Sequence, residues 1–96
     1  MELIIKKQES VIDNNHDYYD VLLNSNEIAV IKHRKSKDHF NVDFIGALSS
    51  YNIHPSEYGY GAWFPSLDTA IEAIRKFLID LYKMLSVPTD IVIVLS

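Results

Sequence analysis

Cysteine is absent from the 96 residues, and that one absence removes disulfide frameworks, thiolate zinc sites and cysteine nucleophiles together. Proline and glycine are sparse, three of each, so the strongest breakers of regular structure are few. No apolar run approaches the ~18 residues of a membrane span, and the opening Met1-Glu2-Leu3-Ile4-Ile5 lacks the basic start of a secretory signal. A cytoplasmic protein without membrane contact is expected. Positive charge is also in deficit. Nine Lys and Arg against 13 Asp and Glu leave a formal charge of −4, a field that repels phosphate unless a local basic patch overrides it.

Catalytic grammar is missing too. The histidines at 16, 33, 39 and 54 have neither HExxH nor paired i,i+4 spacing, and there is no phosphate-cradling glycine loop or GxSxG elbow. His33 and His39, with Asp38, could face each other across a hairpin as half a metal site, but hairpin histidines need no ligand. No catalytic residue, metal or cofactor is therefore assigned, and a non-enzyme is expected.

What is present fits one globular domain over residues 1–96, with 48% hydrophobic and 23% charged residues. Its strongest periodic signal is an amphipathic helix from about Ser66 to Leu85. Leu67, Ala70, Ile71, Ile74, Phe77, Leu78, Leu81 and Leu85 recur at helical spacing on one face. Ser66 is a suitable N-cap, Asp68 and Lys83 suit the two ends of the helix dipole, and Pro88 is expected to close the segment. Ile79 falls on the polar face, an ordinary exposed apolar residue.

Upstream the period changes to two. Leu3 to Lys7, Tyr19 to Leu23, Glu27 to His33 and Phe40 to Ile45 read as strands, separated by Asn-, Asp- and Ser-rich turns. After the helix, Ile91-Val92-Ile93-Val94-Leu95 is apolar without alternation, the pattern of a strand covered on both faces. The expected fold is α+β in the order β-β-β-β-α-β, a four- to five-stranded, mainly antiparallel sheet with one helix on one face. Either the aromatic loop before the helix or a partner, such as a second copy in a homodimer, would cover the other face.

Three segments offer binding residues. Residues 49–65 are irregular and rich in aromatics: Trp63 and Phe64 adjoin the helix and are expected in the core, whereas Tyr58 and Tyr60, flanking Gly59, suit surface display, and Tyr51 and Trp63 join them as candidate contacts. Lys32, Arg34, Lys35 and Lys37, four of the nine basic residues, cluster at one hairpin, either as a solvated tip or as a contact for phosphate or an acidic patch. Asp17, Tyr18 and Asp20 form an acidic, tyrosine-bearing run, either a polar turn or a face for a basic groove.

The block Gly61-Ala62-Trp63-Phe64-Pro65-Ser66-Leu67 through Ile74 resembles antitoxin domains of the HicB type, whose sheet is followed by an F-P-x-L phrase, an E-A helix and a strand. The family's G-D-T phrase is missing here. The resemblance implies a sheet-plus-helix layout and assigns no functional residue.

The leading functional expectation is a small non-catalytic inhibitor of a larger protein partner. The concrete example is a phage or mobile-element protein, of anti-CRISPR or anti-restriction kind, acting on a host nucleic-acid-handling complex. The alternative is a nucleic-acid-binding or antitoxin-like regulatory subunit.

Overall fold

The computed structural model describes residues 1–9, 13–87 and 89–96. The described residues form five strands and one α-helix, β1 (Glu2–Lys7), β2 (His16–Leu23), β3 (Asn26–Arg34), β4 (His39–Phe44), α1 (Leu67–Met84) and β5 (Val92–Leu95), with two short 3-10 turns, Gly46–Leu48 and Pro55–Tyr58, in the long segment between β4 and α1. The sheet order is β4-β3-β2-β1-β5, antiparallel throughout except for the parallel β1–β5 pair. The β-β-β-β-α-β expectation holds.

Turn chemistry sets the register. Asn24 and Ser25 both have positive φ, 48° and 70°, the requirement of a tight two-residue hairpin that follows the twist of β2 and β3. Asp38, at φ 49°, supplies the left-handed residue that returns the β3–β4 hairpin. The resulting pairs, Leu3 with Leu23, Ile5 with Val21, Val21 with Ala29 and Ala29 with Phe44, carry one apolar row across four strands. All of these side chains are buried, and Ala70, Ile71, Ala73, Ile74 and Leu78 of α1 close over that row.

Both ends of α1 are specified locally. Ser66 Oγ accepts from the Thr69 N–H at 3.1 Å while Thr69 Oγ1 accepts from the Ser66 N–H at 3.2 Å, a reciprocal cap that satisfies orphan donors. At the far end Ser86 turns left-handed, at φ 57°. There the Val87 N–H donates to Tyr82 and the Ser86 N–H to Lys83, so the helix closes through its own backbone. Pro88, expected to stop it, lies outside the described residues.

Four expectations need correction. Leu85 is 62% exposed, because it lies beyond the last helical turn and beyond the reach of the sheet. Ile79 is half-buried rather than on an open polar face. Trp63 is 42% exposed, unlike its neighbour Phe64, which is fully buried: in an extended segment consecutive side chains take opposite faces. Finally, β5 is an edge strand, with Val92 and Leu95 exposed, and Tyr51, Tyr58 and Tyr60 of the aromatic loop stay on the helix side while Trp63 reaches over the other face at one corner. Apart from that corner, the second face of the sheet is left open by the described residues.

Candidate binding face of the sheet

Strand alternation divides the candidates between two faces. On β2, His16, Tyr18 and Asp20 point to the open face, while Asp17 and Tyr19 point to the helix side. Register then aligns His16 with Arg34, Tyr18 with Lys32, Arg34 with His39 and Lys32 with Asn41, so six polar or aromatic side chains share one end of the open face.

Trp63 joins them from outside the strands. Phe40 and Phe64 exchange two backbone hydrogen bonds, Phe40 N–H to Phe64 at 3.1 Å and the reverse at 3.0 Å, which tie residues 63–64 to the free edge of β4. Phe64 enters the core, and Trp63 lies over the opposite face, stacked on His39 with ring centroids 4.6 Å apart and 9° between planes. A shallow cavity of about 380 Å³ results, lined by Lys32, Arg34, His16, His39, Asn15, Asn41, Ser36 and Trp63.

The cavity lining contains no carboxylate. Lys32 and Arg34 make no ion pair among the described residues, whereas Lys35 is held by Asp17 at 3.5 Å on the other face. At the rim Asp13 accepts from the Asn15 N–H at 2.9 Å and from the Tyr18 hydroxyl at 3.4 Å, and lies 3.3 Å from His16 Nδ1. The Asn15 backbone hydrogen bond is the first cause that keeps the Asp13 carboxyl below its ordinary pKa, with His16 adding to it. Asp13 thereby orders two wall residues and Tyr18 rather than filling the cavity.

The other end of the open face differs. Ile4, Leu22 and Val94 adjoin one another there, with Asp20 and Glu27 beside them. Gln8 Nε2 donates to Asp20 at 2.6 Å. Asp20 raises the Glu27 carboxyl above its ordinary pKa, first as a hydrogen-bond partner that favours the protonated form and then as a like charge.

The expected acidic face and basic cluster are thus both split by strand parity. Asp17 sits on the helix side with Lys7 at 3.7 Å, Lys35 at 3.5 Å and His33 at 3.7 Å, and His33 Nε2 reaches Asp38 at 3.0 Å. Because His33 pairs with Phe40 and His39 with Arg34, the two histidines face opposite sides and cannot share an ion. Among the described residues no group of three His, Cys, Asp or Glu could hold a metal ion.

Lys37 is at the exposed hairpin tip. Tyr51 packs edge-on to Phe77 at 5.4 Å, and Tyr60 edge-on to Phe64 at 5.9 Å, both partly exposed beside the helix. Tyr58 is half-buried, not displayed, and burial is the first cause that pushes its phenol up. Of the lining residues, His16, Asn15, Ser36 and Asn41 carry no binding role in the sequence reading, and His39 enters it only as half of a metal site. Reading alternate residues across the 32–41 hairpin would have found His39 and Asn41 beside Lys32 and Arg34.

No protein-family model, curated protein or solved structure matches this chain. The resemblance of residues 61–74 to HicB-type domains has no family-model match behind it.

Proposed function

We propose that this protein is a non-catalytic binding module whose open sheet face takes single-stranded nucleic acid. The observation that carries the reading is the cavity beside Trp63. It combines an exposed indole stacked on His39 with two cations, Lys32 and Arg34, that have neither an ion-pair partner nor a lining carboxylate beside them among the described residues, in a chain whose overall charge is negative. Sheet surfaces that bind single strands work through this pairing: aromatic rings stack on bases while cations hold phosphates. Asn41 and Asn15 add donors and acceptors for base edges. No described helix is long and apolar enough to cross a membrane.

Trp63 is the single tryptophan, so its fluorescence reports the site directly. Titration with short single-stranded RNA and DNA is expected to quench it, and Trp63→Ala, which removes that signal and is read by anisotropy of a labelled strand, should lower affinity roughly 5- to 150-fold, the equivalent of one base stack. Unchanged fluorescence and no oligonucleotide binding at low salt would end this reading. A second reading, the inhibitor of a larger protein partner, draws on Tyr51 and Tyr60, 40% and 36% exposed along the helix border. It gains if a captured partner is lost on Tyr51→Ala with Tyr60→Ala while oligonucleotides fail to bind.

A further inference from the structure

The open face is built in rows, because register sets side chains of neighbouring strands next to one another. The outermost row is His16, Arg34 and His39, with Trp63 stacked on His39, and the next is Tyr18, Lys32 and Asn41. Arg34 and Lys32 are two residues apart on β3, a span of about 7 Å. The third row changes sign: Asp20, Val30 and Asp43 are aligned there. Asp20 has Lys6 opposite it and accepts from Gln8, but Asp43 is exposed and makes no ion pair among the described residues. A phosphate chain running inward from the cavity meets these carboxylates one row beyond Lys32.

Room and rings are limited as well. The cavity of about 380 Å³ lies near the lower end of the ~300–1,000 Å³ range of pockets that enclose one small ligand. Sheets that read a running single strand stack two or three of its bases on aromatic side chains. Here one ring lines the cavity with an exposed face, that of Trp63. Tyr18, in the second row, is half-buried with its hydroxyl turned to Asp13 at 3.4 Å, and it does not line the cavity. Yet this single ring is accompanied by two cations that have no ion-pair partner among the described residues. An internal phosphodiester carries one negative charge, whereas a terminal phosphomonoester carries close to two and offers three strong acceptor oxygens.

We infer that the cavity holds one nucleotide that bears a terminal phosphomonoester, its base on Trp63 and its phosphate on Lys32 and Arg34. The inference rests on the nucleic-acid reading of the open face and narrows it to the phosphorylated end of a strand. Arg34 offers a planar fork to two phosphate oxygens and Lys32 a point charge to the third. The rest of the strand leaves over the β3–β4 hairpin, away from Asp20 and Asp43.

The test titrates the full chain, with Trp63 emission as the signal, against short single strands of one sequence that end in a 5′-phosphate, a 3′-phosphate or hydroxyls only. One phosphorylated end is expected to bind at least about tenfold more tightly than the hydroxyl-ended strand, the worth of one charge-assisted hydrogen bond. Lys32→Gln and Arg34→Gln should each remove most of that ratio, whereas Lys35→Gln, whose ammonium is held by Asp17 on the other face, should keep it. Adenosine 5′-monophosphate carries the same chemistry without a strand. If it displaces the phosphate-ended strand at comparable concentration, the single-nucleotide site stands and the strand drops out of the proposed function. Equal affinity for all three strands, or a phosphate preference that survives both Lys32→Gln and Arg34→Gln, overturns the inference and leaves the single-strand reading in place. Binding of neither strand nor nucleotide at low salt overturns both.

Discussion

Salt dependence gives the sharpest test of the open face, because each phosphate held by a cation on a single strand contributes about 0.7 to the slope of log affinity against log salt. Lys32 and Arg34 are the two unpaired cations lining the cavity, so the slope expected for the intact protein is about −1.4. Raising salt from about 50 to about 200 mM should then weaken binding roughly sevenfold. Lys32→Gln or Arg34→Gln leaves one contact, about −0.7, and a weakening of only ~2.6-fold over the same range. Lys35→Gln is the informative control. Its ammonium is 3.5 Å from Asp17 on the opposite face, so the slope should stay near −1.4 although the formal charge change is the same. Fluorescence anisotropy of a labelled single strand across the salt series reads all four proteins, with Trp63 quenching as the independent signal. Equal loss of slope from Lys35→Gln and Arg34→Gln would refute the reasoning, since long-range charge rather than the cavity would then be responsible.

Three further outcomes test the frame that holds the site. Ser66→Ala removes one acceptor of the reciprocal cap on α1 and should cost about 1 kcal/mol, a fall in Tm of roughly 4–8 °C by differential scanning calorimetry, whereas Ser66→Gly should lose only a few tenths. Phe64→Ala empties a fully buried position next to the Phe40 bridge, and urea unfolding should show a loss of about 3–5 kcal/mol, with Trp63 emission changing as its tether loosens. Asp20 raises the Glu27 carboxyl above its ordinary value, so the folded chain holds that proton more tightly than the unfolded one. This favours folding below the unfolded pKa and is lost as pH rises through the raised value. Glu27→Gln should therefore raise Tm near neutral pH, and the gain should disappear once the medium is acid enough to protonate both carboxyls.

The elements were legible because each is written in local terms. Leu67 to Leu81 repeats at helical spacing, Ser66 and Thr69 cap it, and Asn24-Ser25 has the residues that a tight hairpin demands. Those signals need no knowledge of the rest of the chain. The open face was not legible, because it is a product of register. Asp17-Tyr18 and Arg34-Lys35 are contiguous in sequence, yet each pair divides across the sheet, and the cavity draws on residue 63 from a segment with no repeating pattern. The misreading of β5 has a different origin. An apolar strand without alternation does not say where in the sheet it lies, and a four-residue strand at the edge carries the same pattern as a buried one.

The two halves of the open face therefore ask different things of a partner. At the β3–β4 hairpin, unpaired Lys32 and Arg34 next to the Trp63–His39 stack suit a ligand that is both anionic and planar. At the β1–β5 end, Ile4, Leu22 and Val94 are apolar and the charges are mixed, Asp20 and Glu27 with Lys6 opposite Asp20, so that end offers a phosphate chain neither an aromatic platform nor a uniformly basic surface. The cations and ring suited to such a ligand are thus gathered at the β3–β4 end of the face.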